Sequence, residues 1–276
     1  MKLVTTIAEA RTWRRDSRSS LGLVPTMGYL HAGHVSLVER ARRENERLAA
    51  TLFVNPTQFG PNEDLARYPR DLECDTRLLA EAGCDLLFAP AVAEIYPPGC
   101  ATRVDVGPTA TPLEGLRRPG HFAGVATVVL KLLNIFAPER AYFGQKDAQQ
   151  LGVIRRMVRD LDLPVEVIGC PTLRETDGLA LSSRNSYLGP AERIAATVLH
   201  RALQAARAAY NAGQRSGDQL RAVMLQVLAA EPLARADYVS VADADSFVEL
   251  DHVTGRALLS MAVFVGKARL IDNVVI

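Results

Sequence analysis

The chain has 276 residues, 48% of them hydrophobic and 23% charged, with 32 basic side chains against 31 acidic ones. This composition excludes a disordered chain and argues against a nucleic-acid binder that relies on a large basic excess. The length is enough to bury a core without disulfide or metal staples. No apolar run approaches the roughly 20 residues of a membrane span, and the best of them stops at Lys131. The opening MKLVTTIAEARTWRR has no continuous apolar core of the signal-peptide kind, and Glu9 and Asp16 argue against an organellar presequence. Cys74, Cys84, Cys100 and Cys170 lack C-x-x-C spacing and are expected to be buried free thiols in a reducing cytoplasm.

In chain order, continuous apolar runs at 21–26, 49–54, 85–90, 140–144 and 164–169 predict strands covered on both faces. Helical stretches at 33–47, 71–82, 121–136 and 146–161 lie between them. This alternation predicts a doubly wound α/β parallel sheet, with ligands at the carboxyl ends of its strands. The stretch 121–136 is apolar nearly all round, with Lys131 its only charge, and reads as a core helix, a subunit interface being the lesser alternative. After residue 172 the pattern becomes two helices, 190–212 (with Pro190 at its first position) and 217–230. Three strands follow at 237–243, 257–266 and 268–276. The expected organisation is therefore a parallel α/β domain over 1–172 and a smaller C-terminal α+β domain over 173–276.

Four segments carry chemistry. PTMGYLHAGH (25–34) runs from a strand into a helix, which puts His31 and His34 at a helix opening that favours anions. Gly28 and Gly33 there allow tight turns, and the plain alternative is a pair of capping histidines. Zinc is disfavoured because no carboxylate or Cys stands at matching spacing. FGQKDAQQ (143–150) places Lys146 and Asp147 on another helix's first turn, where a lysine needs an anion to offset the dipole; Gln150 falls one turn later. LALSSRNSYL (179–188) offers Ser182, Ser183 and Arg184 as a phosphate clamp, or as ordinary loop chemistry. FVNPTQFGPNEDLARYPRDLECD (53–75) brings Asn55 and Gln58 to a strand end, followed by a candidate lid over 60–67. RRPGHF (117–122) adds an Arg and a His before the apolar helix.

In this order and spacing, PTMGxLHxGH, VNPxQF, YPR, RPGHFxGVxTVVxKL, FGxKDxQQ and LxSSRNxYL resemble the pantothenate synthetase (pantoate–β-alanine ligase) family over about residues 21–190. The resemblance implies a Rossmann-like nucleotidyltransferase domain plus a smaller C-terminal domain. It also implies a cytoplasmic homodimer, and ATP-dependent joining of (R)-pantoate to β-alanine with release of AMP and diphosphate. Carried over by motif, Met27, Gly28, Tyr29, Leu30, His31, Ala32, Gly33 and His34 bind ATP, with His34 the proton donor. Gly144, Gln145, Lys146, Asp147, Leu173, Leu181, Ser182, Ser183 and Arg184 complete the ATP site. Gln58 touches pantoate and β-alanine, and Gln150 touches pantoate. Three positions depart from the family pattern: Leu181 stands for a usual Met, Gln145 for a usual Glu, and Cys74 for an acid that helps hold the metal. No metal ligand is therefore named, and Mg2+ is expected to be held largely by the nucleotide's phosphates. The alternatives are another HxGH nucleotidyltransferase, disfavoured because Gln58 and Gln150 suit hydroxyls and a single carboxylate better than a phosphomonoester, and a tRNA-binding module, disfavoured by the near-neutral charge.

Overall fold

The computed structural model describes residues 1–61 and 63–276, so Asn62 of the predicted lid lies outside the described residues. Contacts divide the chain into two compact units, 1–145 with 149–171, and 146–148 with 172–276.

The first unit is built on six parallel strands, β1 (Lys2–Val4), β2 (Leu21–Thr26), β3 (Arg47–Leu52), β4 (Leu86–Phe88), β5 (Arg140–Gly144) and β6 (Glu166–Cys170), in the order β1-β4-β3-β2-β5-β6. Its helices are α1 (Ile7–Arg15), α2 (Ala32–Glu44), α3 (Leu72–Glu81), the single turns α4 (Val92–Ile95) and α5 (Glu114–Arg117), α6 (His121–Phe136) and α7 (Ala148–Asp160). One face of the sheet packs against Trp13 of α1, Leu132 and Phe136 of α6, and Ile154 and Met157 of α7. The other packs against Leu37, Val38 and Ala41 of α2 and Leu79 of α3. Both faces are covered, which is why β2, β3 and β4 read as unbroken apolar runs. From β2 the chain steps outward to β3 and β4, then returns on the other side of β2 with β5. The order therefore reverses between β2 and β5, and ligands of such sheets bind in the crevice beyond that switch point.

Strand β1, helix α1 and the single turns α4 and α5 are not among the expected elements. Strand β1 is three residues long and pairs with β4, and α1 is opened by a Thr6–Glu9 capping box. Predicted helix 121–136 matches α6 residue for residue, and twelve of its sixteen positions are buried within this one chain, as a core helix requires. Predicted helix 146–161 is corrected: a 3-10 turn, Gln145–Asp147, precedes α7, so Lys146 and Asp147 stand on that tighter turn.

The second unit packs α8 (Pro190–Ala195), α9 (Val198–Asn211) and α10 (Gly217–Ala229) with an antiparallel sheet of β7 (Ala234–Asp243), β8 (Ala257–Val265) and β9 (Ala268–Val275), in that order. Leu199, Leu203, Leu220, Met224, Leu259 and Met261 form its core. The expected continuous helix 190–212 is instead broken at Ala196 and Thr197. The Thr197 hydroxyl donates to the Ile194 carbonyl at 2.8 Å, a back-bond that competes with helix continuation. The cysteine expectation also needs correcting: all four thiols are free, and Cys84 and Cys170 are buried, but Cys74 is half-buried and Cys100 exposed.

Candidate active site

The turn from β2 into α2 holds two residues in the left-handed region, Gly28 (φ 87°) and Tyr29 (φ 54°). Glycine meets that demand without strain. A Cβ on Gly28 would also come within 3.0 Å of Asp75 Oδ2. The Asp75 carboxylate accepts the Tyr29 amide at 2.8 Å and the Leu30 amide at 2.7 Å. Burial pushes its carboxyl above the ordinary value, with the Leu30 and Tyr29 amides acting in the opposite direction. Thr26, at the strand end, donates to the Thr51 carbonyl and accepts the Gly28 amide. Gly33 is not among the residues with a left-handed backbone; contrary to expectation it belongs to α2 itself, not to a tight turn.

His31 is the N-cap of α2. Its Nδ1 accepts the Gly33 amide at 3.1 Å, while His34 Nδ1 accepts the His31 amide at 3.4 Å. The two ring centroids lie 4.1 Å apart. An Nδ1 that accepts a backbone N–H carries no proton, so each neutral ring is held in the tautomer that bears hydrogen on Nε2. The capping role and an anion-binding role are thus compatible: one nitrogen orients the ring, and the other carries the hydrogen.

Gln58 ends a 3-10 turn, Pro56–Gln58, at the carboxyl side of β3, capped by Asn55. It is buried. Its Nε2 lies 2.9 Å from the Met27 sulfur, and its Oε1 accepts from Asn55 Nδ2 at 3.0 Å. The same Asn55 amide donates to the Gly124 carbonyl. Helix α6 approaches so closely that a Cβ on Gly124 would stand 2.3 Å from the Thr57 carbonyl oxygen. From the start of α6, His121 Nδ1 donates to the Gln58 carbonyl at 2.8 Å, and Arg118 Nη1 lies 3.0 Å from His121 Nε2. Burial, and then the Arg118 charge, push the His121 imidazole down to about 4. It is therefore neutral at pH 7, with its proton on Nδ1. Arg118 also forks onto Glu63 at 2.8 and 2.6 Å. Burial alone would raise the Glu63 carboxyl, but these bonds and the Arg118 charge bring it below the ordinary value. The sequence names Asn55 beside Gln58 and an Arg and a His in RRPGHF, but gives no link between that segment and Gln58; the structure makes the link through His121, with Arg118 beside it.

Gln150 is half-buried on α7, while its neighbour Gln149 is buried and accepts the Glu114 amide and donates to the Thr109 and Pro112 carbonyls. Gly144 closes β5, and Gln145 opens the following 3-10 turn. In the second unit, Lys146 is half-buried and its carbonyl accepts Asn273 Nδ2 at 2.7 Å; Asp147 follows on the same turn. Leu173 and Leu181 are brought together there, the Leu181 amide donating to the Leu173 carbonyl at 3.0 Å. Arg174 between them forks onto the buried Asp272. Ser182 caps the 3-10 segment Ser183–Tyr187, accepting the Arg184 amide, and Ser183 is buried.

Among the described residues, no group of three or more His, Cys, Asp or Glu side chains could hold a metal ion. The half-buried Cys74 lies within 3.6 Å of Arg77 Nη2. Among the same residues, no helix is long and apolar enough to cross a membrane.

Residues 2–275 match the family model for pantoate-β-alanine ligase. The chain is 64% identical over 276 residues to the pantothenate synthetase of Roseiflexus sp. (strain RS-1), covering 100% of this chain and 99% of that one. It is 58% identical to that of Herpetosiphon aurantiacus, covering both chains in full. The crystal structure of pantothenate synthetase from Thermus thermophilus superposes with a TM-score of 0.96 at 54% identity, covering 99% of each chain. That of pantoate-β-alanine ligase from Francisella tularensis, complexed with beta-gamma ATP and β-alanine, gives 0.82 at 35% identity, covering 99% of this chain and 97% of that one.

Proposed function

We propose a mechanism on the premise that the chain belongs to the pantoate–β-alanine ligase family, whose reaction uses ATP to join pantoate to β-alanine and gives pantothenate. In the first step a pantoate carboxylate oxygen attacks the α-phosphorus, the bond to the diphosphate oxygen breaks, and pantoyl adenylate forms. A carboxyl group is already ionised at pH 7, so this step needs no base. It needs alignment of the reacting atoms and donors for the charge on the phosphates. In the second step the β-alanine amine, as the free base, attacks the acyl carbon; AMP leaves with the electron pair of the broken C–O bond, and the nitrogen releases one proton to solvent as the amide forms.

The observation that carries this reading is the pair of imidazoles with both Nδ1 atoms engaged by backbone amides. His31 and His34 then offer Nε2–H donors to phosphate oxygens without changing charge, and the donor role assigned to His34 is a hydrogen bond to the departing diphosphate oxygen, with no net proton transfer. Met27 to His34, Gly144 to Asp147, Leu173 and Leu181 to Arg184 form the ATP site on this reading. Lys146 and Arg184 supply fixed charge. Gln58 binds pantoate and β-alanine through its amide, and Gln150 binds pantoate. Mg2+ enters with the nucleotide on this reading, held largely by its phosphates. By motif, the residues assigned to ATP and pantoate fall mainly in 1–172, with Ser182–Arg184 in 173–276; the working form is a cytoplasmic homodimer, and light scattering on the purified protein tests the dimer.

An AMP-release assay with each substrate omitted in turn tests the reaction. AMP forms in steady state only when ATP, pantoate and β-alanine are all present. Release of ADP, or AMP formation independent of β-alanine, contradicts the mechanism.

A further inference from the structure

Asp75 is 2% exposed on α3, yet its carboxylate reaches out of that helix to a different element. Its two oxygens take one amide each from Tyr29 and Leu30, consecutive residues of the turn that leads to His31. Consecutive N–H groups around a left-handed residue form a concave donor pair, the kind of backbone nest that ordinarily receives an anion. Here the anion is the protein's own. Tyr29 sits at φ 54°, a conformation that a residue with a Cβ adopts only when its surroundings enforce it. Gly28 leaves just enough room for Asp75 Oδ2.

Two consequences follow. The Tyr29 and Leu30 amides already have an acceptor, so the donors the segment offers to a phosphate are those further along, at His31 and His34. The direction in which the chain enters α2 is also fixed by a group on α3. The hydrogen bonds that orient the two rings begin at the very next residue, His31.

We infer that Asp75 is a positioning residue for the nucleotide site: it fills the nest of the Gly28–Leu30 turn and so sets the geometry of the His31–His34 pair. This rests on the reading of that turn as the ATP site. Asp75 acts through the backbone and touches no reacting atom.

Asp75→Asn is the discriminating variant, because the amide can accept one of the two N–H groups but must oppose the other with its own NH2. The expected result is a drop of at least tenfold in kcat/KM for ATP, with KM for pantoate and β-alanine within twofold of wild type and the Mg2+ dependence unshifted. The 15N imidazole signals of His31 and His34, which in the wild type report hydrogen on Nε2, should become mixed in the variant. Unchanged kcat/KM for ATP overturns the inference. So does a loss restored by excess Mg2+, which would make Asp75 a cation ligand. Should the variant not fold, amide exchange in the wild type decides: Tyr29 and Leu30 are protected if Asp75 holds them, and exchange at exposed-loop rates overturns the idea. The spectra and the exchange need no substrate. A wild-type protein that forms no pantothenate therefore defeats the functional reading while leaving Asp75's hold on the turn separately tested.

Discussion

The turns that follow β2 and β3 leave neighbouring strands, yet they are held by opposite means. The first presents two backbone amides, Tyr29 and Leu30, and is held by a buried carboxylate. The second presents the Gln58 carbonyl, and is held by a buried imidazole kept neutral by its surroundings, with the Asn55 amide bracing the Gln58 side chain. The hydrogen-bonding polarity of the backbone decides which side chain can serve. Exposed N–H groups in a left-handed turn need an acceptor, and a charged one makes the stronger bond. A buried carbonyl needs a donor, and a neutral imidazole supplies one without burying a charge. The first arrangement stands beside the segment expected to meet a polyanion, the second beside Gln58, which is expected to meet substrates carrying a single carboxylate.

Breaking the first turn's chemistry has the largest expected effect. His34→Ala removes one phosphate donor and should lower kcat/KM for ATP by about 10²–10³-fold, the range found for loss of a preorganised donor, with thermal unfolding little changed. Lys146→Ala should cost at least about tenfold on the same electrostatic ground. Near-normal turnover in either folded variant removes that residue from the mechanism.

Breaking the second turn should show first in stability. A Cβ at Gly124 meets backbone, the Thr57 carbonyl at 2.3 Å, which cannot rotate away as a side chain could. Gly124→Ala should therefore destabilise by about 1–3 kcal/mol and raise KM for pantoate through displacement of Gln58. Denaturant unfolding and substrate titration check both, and a wild-type midpoint shows that the contact yields.

A subtler variant sharpens the contrast. His121 is held at about 4 in the fold against an ordinary 6.5. As pH falls, the unfolded chain takes up this proton first. The stability it contributes is full above about 6.5 and declines toward 4, by up to about 1.4 kcal/mol per pH unit. His121→Asn keeps a donor for the Gln58 carbonyl but cannot titrate, so stability against pH should flatten in that window. An unchanged slope would show that His121 is not the group responsible. The smallest effect is expected at Leu116, 71% exposed: Leu116→Ser should shift stability by no more than about 0.5 kcal/mol and leave turnover unchanged.

Much of this is readable from the sequence, for physical reasons. Strands β2 to β5 announce themselves because burial on both faces leaves no polar alternation to interrupt the run, and α6 does so because its neighbours leave it almost no solvent face. Strand β1 is not readable: three edge residues with one buried side chain carry too little pattern. Helix α1 is, in principle, since the TIAE segment at residues 6–9 is a capping-box signature. The His31–Gly33–His34 spacing points to two rings that lie together in the structure but misplaces Gly33, whose position inside α2 depends on where the turn ends. The supporting groups are harder. Asp75 and His121 act on the Tyr29 and Leu30 amides and on the Gln58 carbonyl, 45 or more residues away in sequence. A backbone acceptor or donor leaves no mark in the identity of the residue that carries it.

The central claim is that the carboxylate of pantoate is activated by bonding to phosphorus before the amine attacks it. The most direct test uses pantoate with its carboxylate labelled with 18O, turned over with ATP and unlabelled β-alanine. If pantoyl adenylate forms, one labelled oxygen leaves in AMP and the other stays in the amide carbonyl of pantothenate. If AMP carries no label, the carboxylate never bonded to the α-phosphorus, and the account is wrong.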